Sequence, residues 1–249
     1  VEAKVTQRQP RAVVLCAPGT NRDADVTLAL ELAGAQVQRV LVTDADEATR
    51  QMRQAELVVV AGGFSYADAL GAGRLFAVEL ADRLGDAVKH AVERETPILG
   101  ICNGFQTLVR LGILPGAQRR VALGHNESGR FECRWVTLEA VSQRCIWTRD
   151  LTDAIECPIA HGEGRFVCDD ETWDALVKGD QIALRYRGDN PNGSRGDVAG
   201  ICDPSGLVLG LMPHPENHVL VRQHPVHHRG GTESSMGLAL FRRGVDHVS

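Results

Sequence analysis

The 249-residue sequence contains no C-x-x-C pair, no block of basic residues and no uninterrupted apolar run approaching ~18 residues. Each absence removes a class of protein. Without such an apolar run, no membrane-spanning helix is expected. Lys and Arg number 27 against 32 Asp and Glu, a formal charge of −5. With no basic cluster, that balance gives little support to nucleic-acid or anionic-membrane binding. The seven cysteines, at 16, 102, 133, 145, 157, 168 and 202, are odd in number and lack zinc-ribbon spacing. A disulfide framework and a structural zinc site are therefore not expected, and a reducing, cytoplasmic setting is. Cys16 and Cys202 lie in apolar surroundings and read as core thiols. Residues 1–10 are polar and carry no apolar h-region, so no secretory signal is expected there. They read as a poorly ordered N-terminal extension, ahead of one domain over 11–249.

The regular patterns describe an α/β protein. Arg11 to Ala17, Val37 to Val42 and Leu57 to Ala61 read as strands, the third apolar throughout and so buried on both faces. Helices are expected from the Asp23 region to Ala33, over Asp46 to Ala55 and over Leu75 to Arg94, with Thr20 or Asn21 capping the first and Gly34 ending it. Strands alternating with helices imply right-handed βαβ units and a doubly wound, mostly parallel sheet. After Leu114-Pro-Gly116 the character changes. Arg130 to Glu139 alternates as a half-solvated antiparallel strand does, and Ile155 to Ala160, Ile182 to Tyr186, Val198 to Ile201 and Leu207 to Leu211 continue as short strands. Added antiparallel strands in the C-terminal half and a closing helix over Ser235 to Arg243 complete the reading.

The centre of the chain is Ile98-Leu-Gly-Ile-Cys-Asn-Gly104. A short apolar strand runs into Gly-x-Cys-x-Gly, and a helix starts at once. This is the strand–turn–helix grammar of a nucleophile elbow, with Cys where hydrolases of that kind carry Ser. At a helix start, unpaired N–H groups and the helix dipole favour thiolate at Cys102, and the Asn103 N–H lies where an oxyanion would form. A nucleophilic Cys needs a base, and the base an orienting acceptor. Among nine His, one stands out, in Leu209-Gly-Leu-Met-Pro-His-Pro-Glu216. An apolar strand delivers His214 to the same sheet rim, and an extended backbone held by Pro213 and Pro215 would set Glu216 on its side. Gly62-Gly-Phe-Ser-Tyr66 follows the third strand and matches no phosphate-loop pattern, but its glycines allow close approach of a ligand.

With these residues in place the sequence resembles the class I glutamine amidotransferases, which pair a G-x-C-x-G elbow and a Gln four residues on with a late His-Pro-Glu. Here these are Cys102, Gln106, His214 and Glu216. Within that family the nearer resemblance is to the small glutaminase subunits of phosphoribosylformylglycinamidine synthases. It is carried by Gly62 to Tyr66, Asn126 to Trp135, Pro158-Ile-Ala-His-Gly-Glu-Gly-Arg-Phe166 and Asn190-Pro-Asn-Gly-Ser194. The resemblance implies a flavodoxin-like sheet, hydrolysis of glutamine through a Cys102–His214–Glu216 triad, and an oxyanion hole from the N–H groups of Gly63 and Asn103. It implies substrate contacts from Gln106, Gly162 and Glu163. It also implies no cofactor or metal on this chain, with ATP and Mg2+ on a large synthetase partner, and a small bridging subunit in the complex.

Two other readings stay open on the residues alone. One is an amidotransferase serving another acceptor, and the other a non-enzymatic, redox-sensing flavodoxin-like protein with an elbow cysteine. The sequence also departs from the family. Ala67, Ala69 and Gly71 stand in a loop that usually reads Gly-Gly-Phe-Ser-Tyr-Gly-Asp, so its path is expected to differ, with Gly71 supplying freedom. His218, His224, His227 and His228 crowd one segment, which reads as a solvated, mobile loop rather than a metal site.

Overall fold

The computed structural model describes residues 8–116, 119–229 and 235–249. Most of the expected N-terminal extension therefore lies outside the described residues. Among those described, nine strands form one sheet in the order β2-β1-β3-β4-β11-β10-β9-β6-β7. Its parallel half consists of β1 (Arg11–Cys16), β2 (Gln36–Leu41), β3 (Leu57–Val60), β4 (Ile98–Ile101) and β11 (Val208–Leu211). The other half, β10 (Val198–Cys202), β9 (Ile182–Tyr186), β6 (Glu132–Ala140) and β7 (Ile155–His161), is antiparallel. The expected mostly parallel sheet with antiparallel additions is thus present.

β3, β4 and β11 are buried at every residue, as strands with helices over both faces must be. Helix α1 (Asp23–Leu32), α2 (Ala45–Gln54), α3 (Arg74–Glu93) and α4 (Asn103–Arg110) follow the strands in the alternation expected. α3 turns Phe76, Ala77, Leu80, Leu84, Ala87 and Ala91 inward, one apolar stripe at helical spacing. Fully burying aliphatic side chains contributes roughly 1.5–3 kcal/mol each, so the strands at the sheet centre are a firm base for whatever stands at their ends.

Two expectations change, and two elements are new. Thr20 does not cap α1, because its hydroxyl turns back to accept from Ala17 N at 3.0 Å, and no side chain caps that helix. The closing helix α6 spans Leu238–His247, displaced toward the C-terminus from the expected range. α5 (Asp170–Lys178), with Asp169 accepting from Thr172 N at 2.8 Å as its cap, had no counterpart in the sequence reading. Nor had a separate two-stranded sheet of β5 (Val121–Gly124) and β8 (Arg165–Cys168).

Candidate active site

Three neighbouring parallel strands deliver the central residues to one rim. β3 leads into Gly62 and Gly63, β4 into Cys102, and β11 through Met212-Pro213 into His214. Cys102 N donates to Leu211 O at 2.7 Å, which ties the elbow to the strand that carries the histidine. Cys102 adopts φ 51° and ψ −105°, a conformation L-residues rarely take and one that the surrounding structure must enforce. The two flanking glycines are required by space. A Cβ on Gly104 would overlap the carbonyl oxygen of Val60, and one on Gly100 would come within 2.9 Å of the Gly104 backbone.

His214 and Glu216 are almost wholly buried, at 2% and 0% exposure. The Nδ1–H of His214 donates to Glu216 Oε1 at 2.6 Å. The segment is not extended as expected, since Pro215–Asn217 winds into one 3-10 turn. Proline fixes only φ, near a value that extended and 3-10 backbone share. The turn still brings the carboxylate onto the ring. A Cβ placed on Gly62 would lie 3.1 Å from His214 Cε1 and 3.4 Å from Cys102 Cβ, so the imidazole and the thiol meet over a glycine that leaves them room. Burial alone would lower the His214 pKa. The Glu216 carboxylate and then Cys102 outweigh it and push the pKa up to about 10. Beneath the pair, burial and the neighbouring Glu216 charge hold the Cys157 thiol far above the ordinary range, so it remains protonated.

Gly63 takes φ 129°, and a Cβ there would lie 2.5 Å from Asn21 Oδ1 and 2.6 Å from Asn21 N. Only glycine fits. The following loop follows a glycine-like path despite Ala67: Tyr66, Ala67 and Asp68 all stand at left-handed φ of 52°, 53° and 50°. Ala67 thus takes a left-handed backbone of the kind glycine adopts most readily, and Gly71 has a positive φ as well, at 105°. Asn103, the first residue of α4, is buried, with Ser65 Oγ donating to its Oδ1 at 2.5 Å and its Nδ2 donating to Asp68 Oδ1 at 2.9 Å. Burial raises the Asp68 pKa, the Asn103 hydrogen bond opposes that, and the Glu163 charge adds to it.

Beside Cys102 lies a cavity of about 170 Å³ lined by Gly63, Asn103, Gln106, His161, Gly162 and Glu163, among others. Phe64 and Phe131, both exposed, stack at its edge with ring centroids 6.1 Å apart. All the residues singled out for substrate contact therefore share one space with the cysteine. Their roles in its wall differ. Gln106 spends its Nε2 on Glu163 O, leaving a buried Oε1 with no hydrogen-bond partner among the described residues. Gly162 O accepts from Asn126 N at 2.9 Å.

Sequence reasoning missed the brace behind this wall. Asn126 donates through Nδ2 to the carbonyls of Arg130 and His161, so its Oδ1 accepts from Gly164 N and from His161 Nδ1. His161 is 3% exposed, and its Nε2 has no hydrogen-bond partner among the described residues. Burial, with the His214 charge second, pulls its pKa down to about 4, so the ring is neutral at pH 7. Asn192 Nδ2 holds Gly164 O at 2.9 Å, Arg165 Nε donates to Gly193 O at 3.0 Å, and Ser194 Oγ accepts from Phe166 N at 2.9 Å. Asn126, His161, Asn192 and Ser194 carry no role in the sequence reading beyond the family resemblance, because what they do is tertiary.

The histidine-rich segment is also different from expectation. His218 is fully buried, donating from Nδ1 to Glu156 O at 2.6 Å, and His224 pairs with Glu156 Oε2 at 3.1 Å. Both rings pack on Trp135, with centroids at 5.2 and 4.6 Å. His227 and His228 are exposed, as a solvated loop requires. Among the described residues, no group of three or more His, Cys, Asp or Glu side chains is placed to hold a metal ion, and no helix is long and apolar enough to cross a membrane.

Against known proteins, the sequence model of the CobB/CobQ-like glutamine amidotransferase domain matches residues 9–248. A phosphoribosylformylglycinamidine synthase subunit PurQ of Treponema denticola is 45% identical, over 96% of this chain and 99% of its own length. The same subunit of Nocardia farcinica is 42% identical, over 95% and 96%. Among solved structures, a chain of the PurLQS structure from Thermotoga maritima superposes with a TM-score of 0.77 at 35% identity, covering 97% of this chain and 100% of that one. A structural match of this quality, a domain model spanning nearly every residue and end-to-end relatives of one name agree, and the chain belongs to the PurQ family of glutamine amidotransferases.

Proposed function

We propose that this chain is the glutaminase subunit of a phosphoribosylformylglycinamidine synthase, hydrolysing L-glutamine to glutamate and ammonia. The observation that carries the reading is the strained Cys102 elbow packed against a buried His214–Glu216 pair. Family membership and a neighbour solved as a PurLQS assembly support it.

The geometry suits acyl transfer. The Cys102 sulfur, its proton held by His214, attacks the side-chain amide carbon of glutamine. Charge developing on the carbonyl oxygen is met by the N–H groups of Gly63 and Asn103, at a helix start where such donors lack intrahelical acceptors. As the C–N bond breaks, His214 gives its proton to the departing nitrogen, leaving ammonia and a γ-glutamyl thioester on Cys102. Water, deprotonated by His214, then adds to the thioester, and glutamate leaves as the sulfur recovers its proton. Glu216 fixes the ring through Nδ1 throughout and stabilises its charged form. The free Gln106 Oε1 and the wall at Gly162 and Glu163 serve to hold the amino-acid end of the substrate.

In this reading the ammonia passes to a large synthetase subunit in the cytoplasm, which uses ATP and Mg2+ to convert formylglycinamide ribonucleotide to formylglycinamidine ribonucleotide. A small bridging subunit completes the assembly, and this chain itself carries no cofactor. The test is Cys102→Ala in the reconstituted complex. Glutamine-dependent turnover is expected to vanish while turnover driven by free ammonium persists. Undiminished use of glutamine would overturn the reading.

A further inference from the structure

We propose that the side chain of Asn103, gripped by Ser65 and Asp68, sets the spacing of the two oxyanion donors, making Ser65 and Asp68 positioning residues of the site. This inference rests on the reading of Cys102 as nucleophile given above. The two donors belong to different stretches of chain, Gly63 after β3 and Asn103 after β4. The ladder between those strands ends at the pairing of Val60 with Gly100, short of both. Beyond that point, their separation is fixed by what bridges the two segments.

Asn103 is that bridge. Its backbone supplies one donor, and its side-chain amide ties down the segment that follows the other. Ser65 Oγ donates to Oδ1 at 2.5 Å, and Nδ2 donates to Asp68 Oδ1 at 2.9 Å. The orientation is unique, because an ionised carboxylate only accepts and so must face Nδ2. Both Asn103 and Ser65 are buried, so water does not readily substitute. The gripped segment is under load: Tyr66, Ala67 and Asp68 are consecutive left-handed residues that are not glycine, a conformation costing about 1–2 kcal/mol per residue. Such a run persists only when its ends are held. Tyr66 N on Pro18 O, at 2.7 Å, holds it toward β1, and Asp68 on Asn103 holds it toward α4. Removing the Asp68 acceptor frees a strained arm that begins next to Gly63, and donors that must stay within about 0.5 Å of their working geometry drift apart.

The test compares two reagents on Cys102 of the full chain, with labelling followed by mass spectrometry. Iodoacetamide alkylates a thiolate directly and has no need of an oxyanion hole. A chloroketone analogue of glutamine passes through addition of sulfur to its carbonyl before chloride leaves, and so does need one. In Asp68→Ala the chloroketone rate is expected to fall about tenfold or more, since a misplaced donor forfeits much of what an oxyanion hole contributes. The iodoacetamide rate should stay within about twofold of the starting protein for the same reason. Asp68→Asn keeps an acceptor oxygen and is expected to restore most of the chloroketone rate, while Ser65→Ala should share the selective loss. A parallel fall with both reagents, or no fall with either, overturns the clamp while leaving Cys102 as nucleophile. If glutamine protects Cys102 of the unaltered chain from neither reagent, the functional reading falls, and the clamp with it.

Discussion

Replacing Glu216 by Gln is the most informative single change, because it keeps shape and removes charge. Glu216 is fully buried, with one oxygen 2.6 Å from His214 Nδ1. Three influences compete at that ring: burial, which favours the neutral form, and the charges of Glu216 and Cys102, which favour the imidazolium and win, taking the pKa from 6.5 to about 10. At 1.36 kcal/mol per unit, the shift corresponds to roughly 5 kcal/mol of preference for the protonated ring. The Glu216 carboxylate is the strongest influence raising it, so in Glu216→Gln the pKa should fall from about 10 toward the ordinary histidine value. Glutamine-dependent turnover at pH 7 is then expected to fall by roughly 10²–10⁴-fold, the range for losing a general acid–base group or its orienting carboxylate.

Stability against pH gives a second reading of the same change. A histidine whose folded pKa lies above its unfolded value contributes stability that is complete below pH 6.5 and lost as pH rises toward 10. Urea unfolding at several pH values should show this loss in the unaltered protein between pH 6.5 and 10, and a clearly smaller loss in Glu216→Gln. Parallel stability curves for the two proteins across that window would sink the argument that Glu216 holds the ring protonated.

Two further outcomes follow from burial and space. Gly104→Ala places a methyl group on the Val60 carbonyl oxygen, backbone that cannot yield without moving β3, so a loss on the order of 3 kcal/mol or failure to fold is expected in thermal melts. His161 behaves oppositely to His214: its folded pKa of about 4 lies below 6.5, so stability is complete above pH 6.5 and lost as pH falls from there toward 4. His161→Phe should flatten this acid limb between pH 6.5 and 4 in unfolding titrations, and an unchanged limb would place the acid-sensitive group elsewhere.

In the sheet's parallel half, β1, β3, β4 and β11 were legible because they are buried almost throughout and must be apolar at nearly every position, a pattern that needs no knowledge of neighbours. Cys102, His214 and Glu216 were legible as a group for a related reason. A nucleophile at a strand–helix turn, and a base at the end of another apolar strand, are each written within about ten residues. Where several local outcomes were open, sequence reasoning chose wrongly. Thr20 can cap a helix or close a turn on Ala17, and it does the second. Pro215 suits extended and 3-10 backbone equally, and the chain takes the tighter path. His218 and His224 read as loop residues because their partners, Trp135 and Glu156, lie 62 or more residues away. α5 buries only Thr172 and Leu176 amid charged residues, too faint a stripe against the strands around it.

The division between legible and illegible parts also separates chemistry from selectivity. Elbow, base and orienter would serve any thiol-dependent acyl transfer, and they sit on rigid adjacent strands. What shapes the cavity is assembled from the stretches around 62, 126, 161 and 192, each contributing one or two side chains that bond to another stretch's backbone. Asn126 holds His161 and Gly164, Asn192 holds Gly164 from the other side, and Gln106 holds Glu163. No member can be exchanged for a residue of similar polarity without orphaning a buried partner, at about 1–3 kcal/mol for each group left unpaired. That interdependence explains why these stretches look arbitrary when read singly. Each is meaningful only against the others, and together they set the shape of the cavity beside Cys102.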